Sequence, residues 1–306
     1  MSETLAGKMQ RKLKRMRKDR MLYLILFPTL LFFAIFHVIP IIEMRLAFYD
    51  YRIMGDNIFV GLKHFKSLFS SPVFSQIMEN TLIISAMKIF LIFPLPVLFA
   101  ICLNEFRVGI FRKGVQVVSY LPHFLSWVVI AGIWAEFLSP STGLVNNILN
   151  GLGFKSIDFL TSKEWIRWVL MLSEAWRSVG WDSIIYLAAI MGIDQTLYDA
   201  ASIDGASRLQ MIRFIILPAL TATMITVLIL NVGFFMNAGL DQVLNFTNQA
   251  VNSRIDIIDT YVYRIGLKNS QFSFATAANL FKGAVGTVLI VSTHLISKKV
   301  TGKGAW

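Results

Sequence analysis

The chain has 306 residues, of which 15% are charged and 56% hydrophobic, with 25 Phe, 13 Met and 7 Trp. Average soluble domains are roughly 25% charged, and several apolar runs here exceed the ~20 residues that cross a hydrocarbon core, so an ordinary soluble protein is excluded in favour of a polytopic membrane protein. The net charge of +11 does not indicate nucleic acid, because eight of the 29 Lys/Arg crowd into the first twenty positions ahead of an apolar stretch, and the single Cys102 excludes both a disulfide framework and a cysteine-built metal site.

Residues 1–20 carry Lys8, Arg11, Lys12, Lys14, Arg15, Arg17, Lys18 and Arg20 against Glu3 and Asp19. Basic residues beside a first span stay inside, so this is read as a cytoplasmic amino terminus. Six apolar stretches follow as expected crossings: 21–42, 82–103, 115–138, 165–193, 218–240 and 274–296. The first is too long for a signal sequence and lacks a small-residue cleavage pattern, so it is expected to remain uncleaved. Segments assigned inside then hold 16 Lys/Arg in 65 residues, against 9 in 98 for those assigned outside, which agrees with the direction set by the amino terminus. The domain reading is a basic terminus 1–20, a membrane domain 21–297 and a short cytoplasmic tail 298–306.

Between the first two crossings, Leu62, Phe65 and Phe69 recur at helical spacing with lysines between them, predicting a short helix on the outer surface. Lys88 in the second crossing is expected to snorkel to the surface. Pro94 and Pro96 in the second crossing and Pro122 in the third are expected to kink their helices.

The inside loop between crossings four and five is patterned where most such loops are not. Thr196-x-x-Asp199 reads as a capping box opening one short helix, Gly205 as its left-handed end, and Ser207-x-x-Gln210 as a second box opening the next. A helix-turn-helix is expected there, bared on one face by Ala200 and Ala201. At these residues the chain resembles the integral permease subunits of binding-protein-dependent ABC importers. The family's loop pattern is matched by Asp199-Ala200-Ala201, Asp204-Gly205-Ala206 and Ile215-Ile216-Leu217-Pro218. Asp199 stands for the usual Glu and Ile212 for the usual Phe, changes that keep the charge and the apolar packing. Further stretches, Phe59-Val60-Gly61-Leu62, Gly180-Trp181, Tyr186-Leu187-Ala188-Ala189 and 257–263, are similar to the carbohydrate-uptake branch, particularly permeases for oligosaccharides or polysaccharide fragments.

The resemblance implies an all-α, six-helix fold of the type I importer kind, in a bacterial or archaeal inner membrane. It also implies that the loop is a coupling helix, with Asp199, Ala200, Ala201, Asp204, Gly205, Ala206, Leu217 and Pro218 meeting a cytoplasmic ATPase. The implied partners are a second homologous permease, an ATPase dimer that binds ATP and Mg, an extracytoplasmic solute-binding protein and membrane lipid.

The chain itself offers no catalytic constellation. It has no phosphate-binding G-x-x-x-x-G-K-[ST], no His-Glu-x-x-His, and four histidines scattered over different segments. ATP chemistry is therefore expected in a separate polypeptide, with no cofactor or metal held here. Ionisable groups inside crossings are costly and mark cavities or partners, so Glu174, Trp176, Arg177, Trp181 and Asp182 in crossing four, Asn231 in crossing five and Asn279 in crossing six are candidates for a substrate path. Glu174 and Arg177, three apart, are expected to pair; Trp176 and Trp181 could stack on sugar rings. Two rival readings are an ion-coupled secondary transporter and a membrane enzyme acting on lipid-linked sugars, but no internal repeat and no clustered Asp/His loop motifs support them.

Overall fold

The computed structural model describes residues 19–106 and 109–301. Most of the basic amino terminus and tail residues 302–306 lie outside the described residues. Helices dominate, as a solvent without hydrogen-bonding partners requires. The first, α1 (Arg20–Phe48), is 29 residues long, and none of its residues up to Glu43 is buried. It leads into a two-residue ribbon, β1 (Tyr49–Asp50) paired antiparallel with β2 (Ile58–Phe59), so the expected all-α fold is modified by one small hairpin. The expected surface helix is α2 (Lys63–Ser70), whose buried anchor is Leu68.

The second span is α3 (Pro72–Glu105), which begins ten residues before the apolar run. Its polar first turns are stabilised by tertiary bonds that no hydropathy pattern reveals. Gln76 Nε2 donates to Ser253 O at 2.7 Å, Asn80 Nδ2 donates to Ser253 O and Asp256 O, and Arg167 Nη2 donates to Asn80 Oδ1 at 2.7 Å.

The third expected crossing is not one helix. It comprises α4 (Gly109–Phe124) and α5 (Trp127–Leu138), bent by 109°. Pro122 has no N–H to continue the ladder, Leu125 is extended, and Ser126 Oγ caps the new helix by accepting from Val129 N. A short α6 (Leu144–Gly151) follows. Then comes α7 (Ile166–Met191), within two residues of the expected fourth crossing. Its four charged residues, Arg167, Glu174, Arg177 and Asp182, set it apart from the apolar spans.

Beyond α7 lies α8 (Gln195–Ile203), then α9 (Arg208–Gly233), which starts ten residues before the expected start of the fifth crossing and stops seven residues short of its expected end. Three short helices, α10 (Leu240–Phe246), α11 (Asn252–Ile255) and α12 (Ile258–Tyr263), lead to α13 (Phe272–Thr301). Four helices of the described residues are thus long and apolar enough to cross a membrane, or five if the α4–α5 pair is one span.

Three prolines follow one rule. Pro40, Pro94 and Pro218 each lie just after a five-residue π turn, at Ala34–Val38, Lys88–Ile92 and Ile212–Ile216. A proline ring collides with the carbonyl four residues earlier; here those carbonyls belong to Phe36, Phe90 and Phe214, inside the widened turns. The π turn moves the carbonyl aside and the helix continues, so Pro94 produces a bulge and Pro122 a break.

Helix α7 is the hub. Its carboxyl-terminal half packs Tyr186, Leu187 and Ile190 with Val97, Ala100 and Leu103 of α3 and Ile216 and Leu220 of α9. Its amino-terminal half packs Val169 and Leu170 with Ile84 and with Val243 and Phe246 of α10. Where α7 crosses α4, Gly180 is required: a Cβ there would lie 2.2 Å from the Ser119 carbonyl oxygen. Gly180→Ala is therefore expected to cost about 1–3 kcal/mol by forcing the helices apart, which a thermal-melt measurement of the detergent-solubilised protein would register as a lower midpoint.

Candidate functional site

Two places carry unpaired chemistry. The first is a groove of about 710 Å³ between α3, α7 and α9. Residues four apart on a helix share a face, and Glu174, Ser178, Asp182 and Tyr186 run down α7 at that interval to form one wall. Ser85, Lys88, Ile92 and Pro96 of α3 form the second, and Val227, Leu230 and Asn231 of α9 the third, with Phe234, Phe235 and Asn237 beyond the end of α9.

Of the expected path residues, Glu174, Trp181, Asp182 and Asn231 meet here. Trp176 and Arg177 do not line the groove. Asn279 lines a smaller neighbouring cavity of about 270 Å³ with Lys282, which shares Phe234 and Asn237 with the first. Because α9 ends at Gly233, Asn231 lies in its last turn.

The expected Glu174–Arg177 pair does not form. Glu174 Oε2 accepts from Lys88 Nζ at 2.7 Å, with both side chains largely buried. Lys88 therefore does not snorkel; it crosses from α3 to α7 and packs against the Gly239 turn, where a Cβ would come within 2.8 Å of Nζ. Arg177 lies over the Trp127 ring at 5.0 Å, a cation–π contact. Lys282 pairs with Asp259.

Trp181 is already stacked. Its ring lies 4.4 Å from that of His123 at an interplanar angle of 5°, with Phe124 edge-on at 5.3 Å, so His123 occupies one face of the indole. Asn231 Nδ2 donates to Val227 O in its own helix at 2.9 Å. The Ser85 and Tyr186 hydroxyls are buried with no protein partner while their residues line the groove. Buried hydroxyls without partners are uncommon, and they mark where an internal water is expected. Lys88, Ser85 and Tyr186 were absent from the sequence-based candidates, although Tyr186 continues the four-residue stripe of Glu174, Ser178 and Asp182.

The second place is the hairpin of α8 and the start of α9. Asp194, not Thr196, caps α8: its Oδ1 accepts from Thr196 N at 2.9 Å, and the hydrogen bonds from Thr196 hold its carboxyl below the ordinary value. The other end is a Schellman turn. Ala206 N donates to Ala201 O at 2.9 Å and Gly205 N to Ser202 O at 3.2 Å, with Gly205 at φ +73°. The Ser207–Gln210 capping box is present with both of its bonds. Arg208 Nη1 donates to Glu105 Oε2 at 2.9 Å, tying the hairpin to the end of α3.

No residue of α8 is buried. Its Leu197 and Ile203, and Leu209 of α9, are exposed apolar side chains (Ile203 at 87%). Asp199, Ala200 and Asp204 are exposed and Ala201 and Ala206 half-buried. Leu217 and Pro218 lie in the body of α9, about 15 Å along its axis from Arg208, so they shape the helix and not the tip.

No family model matches the chain. It is 40% identical to the polygalacturonan/rhamnogalacturonan transport system permease protein YteP of Bacillus subtilis (strain 168), over 98% of this chain and 94% of that protein. It is 37% identical to protein LplB of the same organism, over 98% of this chain and 95% of that one. A chain in the crystal structure of a bacterial ABC transporter involved in the import of the acidic polysaccharide alginate superposes with a TM-score of 0.89 at 38% identity, covering 95% of this chain and 99% of that one. A second structure of the alginate transporter, in complex with an alginate pentasaccharide-bound periplasmic protein, matches equally well.

Proposed function

The chain belongs to the permease proteins of ABC sugar-transport systems, and from that premise we propose that it forms half of a path for oligosaccharides or polysaccharide fragments, driven through its α8–α9 hairpin by a separate ATPase. It is a multi-pass membrane protein and a transport component. In this reading the chain crosses six times, α4–α5 being one broken crossing and α7 a polar one, with both termini in the cytoplasm. The ion-coupled alternative is not favoured, because a relative across nearly the whole chain is a transport system permease and a chain of an alginate ABC transporter shares the fold at 38% identity.

The observation that carries the path is the groove itself. Polar groups from three helices converge there inside an otherwise apolar bundle: Lys88 of α3, Glu174 and Asp182 of α7 and Asn231 of α9. Sugars present hydroxyls on their edges and apolar C–H faces, and the groove offers Asn231 and Asp182 for the first and Trp181, Phe234 and Phe235 for the second.

The remaining partners follow from what the chain leaves uncovered. A second, similar permease would cover the bare flank of α1 and complete the path. A cytoplasmic ATPase dimer, binding ATP and Mg, would receive the exposed apolar hairpin tip, since the sequence has no phosphate loop of its own. An extracytoplasmic binding protein would deliver the sugar, as the periplasmic protein in the alginate transporter complex suggests by analogy. Coupling requires two states of the membrane assembly that differ in affinity for ATP on one side and for the loaded binding protein on the other.

The test is uptake by the complete transporter carrying Asn231→Ala. Loss of one hydrogen bond to a sugar hydroxyl is worth about 1 kcal/mol or more, so uptake is expected to fall between about fivefold and tenfold at unchanged membrane abundance. Wild-type uptake and selectivity in both Asn231→Ala and Trp181→Ala would remove this groove from the path.

A further inference from the structure

The charges around the groove bear on which sugars it accepts. Among its lining residues Lys88 is the one cation, and its ammonium is committed to Glu174 at 2.7 Å and boxed in by the Gly239 turn. Arg177, on the same helix, is spent over Trp127 outside the lining. Asp182 differs. It lines the groove, is exposed to it, and has no ion-pair partner among the described residues. Along α7 its neighbours are the hydroxyls of Ser178 one turn above and Tyr186 one turn below, and the charges of Glu174 and Arg177 also reach it. A carboxylate facing an apolar-walled groove attracts hydroxyl or amide donors and repels another carboxylate, and the low dielectric magnifies both effects.

We propose that this groove selects uncharged glycan units, with Asp182 as the specificity-determining residue that accepts hydrogen bonds from sugar hydroxyls and rejects uronate carboxylates. The proposal rests on reading the groove as the sugar path, and it distinguishes this chain's half of the path from what the acidic cargo of the alginate transporter would require. No lining cation is free to neutralise a uronate, so an acidic unit would meet Asp182 directly. A neutral unit instead meets Asp182 with hydroxyl donors.

The test bypasses the binding protein, which imposes its own selectivity. In the assembled permease–ATPase complex, with Cys102→Ser to remove the exposed native thiol, Leu230→Cys places a single reactive thiol in the lining. Its alkylation rate is measured with a neutral galacto-trisaccharide and with trigalacturonate of equal length. The neutral sugar is expected to protect at a concentration at least about tenfold lower, and Asp182→Asn to narrow that gap to about threefold or less. Equal or better protection by trigalacturonate in the Asp182 form overturns the selectivity and leaves the path reading standing. Protection by neither sugar overturns both.

Discussion

Gly205→Val is expected to leave the permease folded in the membrane and to cut ATP-driven uptake more than about tenfold. The separation of these two effects follows from the geometry. Gly205 sits at φ +73°, with no atom within 4 Å of where a Cβ would be, so the cost of a side chain is conformational and not steric crowding. For a β-branched residue the left-handed conformation costs roughly 1–2 kcal/mol. Nothing in α8 is buried, so that cost falls on the Schellman turn that sets the angle between α8 and α9 and leaves the helix core untouched.

The expected measurement is normal abundance, a loss of uptake exceeding tenfold, roughly the effect of 1.4 kcal/mol or more on the docked hairpin, and ATP hydrolysis that no longer responds to loaded binding protein. Gly205→Asn serves as the internal control, because asparagine enters the left-handed region readily and should retain most of the coupling. Normal uptake by the valine variant at wild-type abundance would detach the hairpin from energy transmission.

What the sequence disclosed and what it concealed divide along a physical line. Local chemistry was legible: the Ser207–Gln210 box, the left-handed Gly205 and the limits of α7 are settled within a few residues of chain, and all stand in the structure. The shift of the α8 cap from Thr196 to Asp194 is an error of the same short range, since two acceptors two residues apart compete for one helix start.

Contacts across the fold were not legible. The i,i+3 spacing of Glu174 and Arg177 permits a pair, but Lys88, 86 residues away, offers Glu174 a buried ammonium and Trp127 offers Arg177 a ring. Hydropathy likewise places the start of the second crossing where polarity ends. The helix starts at Pro72 because Asn80 and Gln76 bind carbonyls in and just after α11, more than 170 residues distant. For the groove, the four-residue stripe along α7 was visible in the sequence. Its completion by α3 and α9 depended on helix packing.

Removing Glu174 alone should be the most damaging single change inside the membrane. Glu174→Ala leaves the Lys88 ammonium unpaired in a site whose side-chain exposure is 21%, packed against the Gly239 turn. Stripping one partner from a buried ion pair typically costs about 3–5 kcal/mol, because the remaining charge is desolvated without compensation. That is a large fraction of the stability of a typical fold, and low membrane abundance with a depressed melting midpoint is expected. Salt should not rescue the variant, since ions screen exposed pairs far more than enclosed ones. The companion variant is Lys88→Met with Glu174→Leu, which removes both charges and keeps most of the volume. Apolar replacements of whole buried pairs are often neutral or stabilising, so the double variant should recover abundance where the single one does not. Wild-type stability of Glu174→Ala would mean that Lys88 reaches water through the groove, and the pair would then hold the helices together only weakly.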